Sequence, residues 1–188
     1  MNLFRTLCGL ALTGLATTSS CISPPDYSLV PEIDFKEVEV THVPASGGLL
    51  ATDTLNFKLN FRDGDGDLGL TKEDADKAPY NATTGGPNNR GYQYNYIIQP
   101  FVKDNSGRFV LFLNPGARPG EYDSRYPRLD GINTKPAPLK GVLSYKLPIP
   151  IGGPVLRNGT VVRFEISILD RALQQSNKIT TSEITLGL

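Results

Sequence analysis

Tryptophan is absent from this chain of 188 residues, methionine and histidine occur once each, and there are two cysteines. A zinc site of the Cys/His kind takes four such ligands, more than the chain owns. It also lacks a Gly-x-Ser-x-Gly nucleophile turn and a Gly-rich phosphate loop followed by Lys. His42, next to Pro44 on an edge-like strand, reads as a surface residue and not as a base. Acids and bases balance at 19 each, which leaves no electrostatic footprint for nucleic acid. No apolar run approaches the roughly 20 residues of a spanning helix, and no segment sustains a helical period. We therefore expect a protein that is not an enzyme and has no nucleic-acid partner. Paired carboxylates of the glycosidase type are the one catalytic arrangement that the counts leave open.

What the chain has in quantity is turn chemistry, with 19 glycines and 15 prolines between short alternating runs. Ile33 and Phe35 share one parity and Val38 and Val40 the other, which predicts a strand over 33–43 with a bulge near Lys36-Glu37. Leu55, Phe57, Leu59 and Phe61 alternate with polar residues in the cleanest half-buried strand of the chain. Tyr92, Tyr94, Tyr96 and Ile98 alternate likewise, and Phe109 to Leu113 follows the turn Asp104–Gly107, as in a hairpin. Leu143 to Ile149, Val162 to Ile168 and Ile179 to Leu186 complete seven strands. Seven strands with turns between them predict an all-β fold, an immunoglobulin-like Greek-key β-sandwich. Two connections, 70–91 and 114–140, are long for such a body. The second carries Arg118, Arg125 and Arg128 with Tyr122 and Tyr126 among its prolines. That mixture suits either a binding surface or a cover over a sheet edge.

The amino end reads as a secretory signal peptide over residues 1–20, with Arg5 in its charged region and an apolar core from Thr6 to Ala16 that contains Cys8. Cys21 follows directly and resembles the lipidated cysteine of a bacterial lipobox, although Thr18 stands where that motif usually has Leu. Cys21 would be the sole cysteine left after processing, without an intrachain partner, and ordinary cleavage with release of a soluble protein is the alternative to lipidation. The resemblance implies acyl chains of the palmitate kind on Cys21 and a membrane partner reached through them. Ile22 in place of Asp points to the outer membrane by resemblance to sorting signals. Residues 21–30, with Pro24 and Pro25, are expected to form a tether, and 31–188 the domain.

The stretch Asp63-Gly64-Asp65-Gly66-Asp67-Leu68-Gly69 follows the cleanest strand. Three carboxylates in so short a loop repel unless a cation or full solvation compensates them. Hard oxygen ligands suit Ca²⁺, and glycines let a loop turn them toward one point. In a seven-strand sandwich this loop and the one before the last strand lie at the same end. We accordingly expect one Ca²⁺ held by Asp63, Asp65, Asp67 and Asp170, with Asn177 in reach. The run 63–74 also partly matches an EF-hand loop, with Leu70 at the eighth position and Asp74 at the twelfth. Leu68 sits where that loop needs Gly. The plain alternative is an Asp-Gly turn whose carboxylates cap nearby N–H groups.

Together, the Phe61-to-Gly69 motif and Asp170-Arg171-Ala172 with Ser176-Asn177 resemble immunoglobulin-like domains of bacterial outer-membrane lipoproteins, a group without an assigned activity. Its members often carry Gly-Asn after Asp-Arg-Ala, where this chain has Leu173-Gln174. The resemblance implies fold and location. We expect a structural or protein-interaction module with a partner in the cell envelope. A carbohydrate-binding module, stacking sugars on Tyr92, Tyr94 or Tyr96, is the alternative.

Overall fold

Leu55, Phe57 and Leu59 show no surface at all, because the alternation along β2 (Ala51–Asp63) turns each of them inward. In this computed structural model, which describes residues 25–131 and 135–187, β2 is the middle strand of a three-stranded sheet. β1 (Glu32–Val43) and β5 (Leu139–Ile151) flank it, both antiparallel. The expected signal peptide, with Cys8, and Cys21 lie outside the described residues. The facing sheet is built on β3 (Tyr96–Lys103) and β6 (Val161–Ile168). β4 (Phe109–Leu111) pairs with β3, while β7 (Ile179–Thr180) and β8 (Ile184–Thr185) both pair with β6. Phe57 and Phe164 meet edge-on between the layers with ring centroids 4.9 Å apart. Each large apolar side chain buried there stabilises the fold by roughly 1.5–3 kcal/mol. The chain changes sheet between β2 and β3, between β4 and β5, and again between β5 and β6, which makes an all-β sandwich with crossed connections of the Greek-key kind.

The bulge falls between Phe35 and Glu37, as the parity change predicts. β4 stops at Leu111, short of the expected Leu113, and two further strands depart more from expectation. β3 starts at Tyr96, so Tyr92 and Tyr94 precede the strand. The expected final strand divides into β7 and β8 because Thr181 intervenes. Its Oγ1 accepts the Phe164 N–H at 3.0 Å while its own N–H donates to the Phe164 carbonyl. Ser176 does the same to Ile168. A side-chain oxygen thus takes the place of a backbone carbonyl, and regular pairing stops at each.

The long connection before β5 covers a sheet edge. Ser124 exchanges two backbone hydrogen bonds with Tyr96, and Asp123 Oδ1 accepts the Ile98 N–H at 3.0 Å. Tyr126 enters the core, whereas Arg118 and Arg125 stay exposed. The three-stranded sheet ends on one side in β1 and on the other in β5, whose last turn carries Pro148 and Pro150.

His42 is exposed, as its position suggests, and it is also paired. It lies directly across from Asp53 in the β1–β2 register, and its Nδ1 is 2.6 Å from Asp53 Oδ1. Asp53 is fully buried, and its other oxygen accepts the Gly187 N–H at 2.7 Å. The pair latches the carboxyl-terminal turn to the first sheet. Replacing His42 with Ala leaves a buried carboxylate with one partner, and is expected to cost about 2 kcal/mol in urea unfolding.

Candidate metal centre

The last inward position of β2 carries Asp63, a carboxylate where the alternation calls for an apolar side chain. It is completely buried. The loop that follows turns back at Gly66, whose φ of +68° favours glycine and whose missing Cβ leaves room for the Ala137 carbonyl and Leu139. Carboxylate oxygens of Asp63, Asp65 and Asp67 consequently lie within 4.8 Å of one another. Three surrounding segments hold the loop by its backbone. Ala137 N–H donates to the Asp65 carbonyl, Leu129 N–H to Leu68, and Arg171 N–H to Asp67.

Asp170 arrives at the same pole from the end of β6, through an isolated bridge to Leu68. Its Oδ1 accepts the Gln174 N–H at 2.7 Å. The acidic turn and the Asp-Arg-Ala segment therefore do meet, as the sandwich topology predicts. Among the described residues, seven buried side-chain N or O atoms make no hydrogen bond, and five of them belong to these four aspartates. They are both oxygens of Asp63 and one each of Asp65, Asp67 and Asp170. Unpaired buried acceptors cost free energy, while the other oxygens of Asp67 and Asp170 cap the Ala172 and Gln174 N–H groups.

The electrostatics agree. Burial, and then the charges of Asp65, Asp67 and Asp170, push the Asp63 carboxyl up to about 7. The Asp67 N–H faces that carboxylate and opposes the shift, without forming a hydrogen bond of normal geometry. Burial and the Asp65 charge raise Asp67, against the pull of Arg171. Burial raises Asp170 to about 6, opposed first by its bond from Gln174. Among the described residues none of the four forms an ion pair. Arg171 is near, but its guanidinium grips Asp130 at 2.8 and 3.0 Å and reaches the Leu68 and Gly69 carbonyls. It braces the loop from behind, and its charge acts on Asp67 without pairing with any of the four carboxylates.

Two expected participants are engaged elsewhere. Asp74 forms a capping box with Thr71 at the start of α1 (Lys72–Ala75), which removes it from an EF-hand arrangement. Asn177 clamps β1, accepting from the Ile33 N–H and donating to its carbonyl. At the Asp-Arg-Ala turn, Leu173 adopts φ +65°, a conformation that favours glycine. Leu173→Gly is expected to raise stability by roughly 0.5–1 kcal/mol, read as a higher unfolding midpoint.

Of the three tyrosines considered for sugar stacking, Tyr92 and Tyr94 are half-buried and Tyr96 is fully buried. Tyr96 is buried against Tyr145 and Tyr126, and the Tyr94 ring is covered by the Arg90 guanidinium at 4.7 Å. Comparison with protein-family models, curated proteins and solved structures returned no match.

Proposed function

We propose that the protein is a non-catalytic β-sandwich module of the bacterial cell envelope, stabilised by one Ca²⁺ at its acidic pole. The observation that carries the cation is Asp63, fully buried with neither oxygen hydrogen-bonded. Asp63, Asp65 and Asp67 bring carboxylate oxygens within 4.8 Å of one another, Asp170 reaches the same pole through its bridge to Leu68 and adds a further unpartnered oxygen, and Ca²⁺ takes six to eight oxygens. Backbone carbonyls and water supply the remainder. The role is structural, because the site ties the end of β2 to the turn after β6.

Anchoring through a lipid on Cys21 is the second part of this reading, and it places the module at the outer membrane with an envelope protein as its partner. The signal-peptide pattern and the position of Cys21 support it. Isothermal titration of the chelator-stripped protein with Ca²⁺ tests the site, and absence of binding heat would remove it. Radiolabelled palmitate, incorporated by the wild type and not by Cys21→Ser, tests the anchor.

A further inference from the structure

Before β1 begins, the chain crosses the acidic pole from Tyr27 to Val30 without joining a sheet. Its holds on the body are few. The Ser28 carbonyl accepts the Gly64 N–H at 2.8 Å, and the Leu29 carbonyl accepts Gln174 Nε2 at 3.3 Å. Tyr27 is half-buried, but Ser28, Leu29 (59% exposed) and Val30 are exposed, so beyond Tyr27 burial adds little to these two bonds. A segment held so lightly belongs to the low-stability end of a fold.

Both donors are tied to the cation ligands. Gly64 stands between Asp63 and Asp65. The backbone of Gln174 is held by Asp170 Oδ1. The approach at Gly64 is close, since a Cβ there would run into the Tyr27 carbonyl and lie 2.8 Å from that of Ser28. Any spreading of the aspartates displaces the amide that holds Ser28.

We propose that the acidic pole is a cation-dependent latch for Tyr27–Val30. With the cation bound, the Gly64 and Gln174 donors are set and the segment docks. Without it, repulsion among the aspartates moves both donors and the segment lifts off. This rests on the Ca²⁺ reading above. Its consequence is that divalent cation governs how rigidly the body is joined to whatever precedes residue 27. Coupling of this kind is reciprocal, so weakening the segment's hold must weaken the cation's.

Chymotryptic cleavage of the full chain after Tyr27 reads the latch, and cleavage after Leu49, exposed in the β1–β2 hairpin, serves as the internal reference. Ca²⁺ at 1 mM, compared with EGTA, is expected to slow cleavage after Tyr27 roughly tenfold and leave Leu49 unchanged. In Asp63→Asn the Tyr27 rate should not respond to Ca²⁺. Gln174→Ala keeps the backbone bond to Asp170 but removes the hold on Leu29. It should speed cleavage after Tyr27 and lower Ca²⁺ affinity by the same factor, about threefold to tenfold for one hydrogen bond. Binding heat with an unchanged ratio of the two cleavages overturns the latch and leaves the cation site standing. Slowing of both cleavages by one factor also overturns it, since that reports global stability. Absence of heat overturns both.

Discussion

In EGTA, the domain is expected to lose about 4 kcal/mol of stability between pH 5 and pH 8, and millimolar Ca²⁺ is expected to abolish most of that loss. Asp63 titrates near 7 and Asp170 near 6 in the folded protein, both above the ordinary aspartate value of 3.8. At pH 5 the folded chain therefore keeps protons that the unfolded chain has released. Stability falls with pH wherever the folded state binds the more protons. The pole's penalty is absent below the unfolded value, grows as pH rises, and is complete above the folded values. Each unit of displacement is worth about 1.4 kcal/mol. From pH 5 upward, two units for Asp63 and one for Asp170 give the figure stated. A bound cation replaces the protons, so its contribution grows as theirs disappears. At a hundred times its dissociation constant it adds about 2.7 kcal/mol, a rise of roughly 5–10 °C in midpoint for a chain of this size. Urea unfolding at the two pH values, with Ca²⁺ and with EGTA, measures all four corners. Equal stability at pH 5 and pH 8 in EGTA would contradict the electrostatics of the pole.

Asp63→Asn is expected to make the cation-free protein more stable at pH 8, by about 2 kcal/mol, while eliminating the response to Ca²⁺. The substitution keeps the shape of the side chain, removes a buried charge, and supplies an amide that can donate to Asp65 or Asp67. At pH 5, where Asp63 is protonated in the folded state, the gain should shrink toward zero. A plain Asp-Gly turn would behave in the opposite way, since removing a capping carboxylate costs stability. The sign of the change at pH 8 in EGTA thus separates the two readings without any metal added.

Most strands are visible in the sequence because one face of each is wet and the other dry. Leu55, Phe57 and Leu59 declare β2 by alternation alone, and Phe35 followed by Val38 locates the bulge by a change of parity. The acidic pole is equally legible. Three of its aspartates stand at alternate positions of one loop, and the topology of the sandwich bridges Asp170 to Leu68 at its end. What alternation does not reveal is pairing across a register. His42 and Asp53 look unrelated until β1 and β2 are aligned, and then they face each other. Nor does it reveal where a hydroxyl usurps a backbone bond, as Thr181 and Ser176 do. Tyr92 and Tyr94 alternate with polar residues as convincingly as Tyr96, yet only Tyr96 finds a strand beside it.

The open rims of the three-stranded sheet carry their own safeguard. Proline has no N–H to offer, so Pro148 and Pro150 interrupt the row of donors along the free side of β5. The bulge and Glu37 and Glu39 roughen β1 on the opposite rim. Many copies crowded side by side on a two-dimensional surface would meet repeatedly along these rims. Neither offers an uninterrupted template on which a neighbour could add its own strand, so such copies could collide without polymerising.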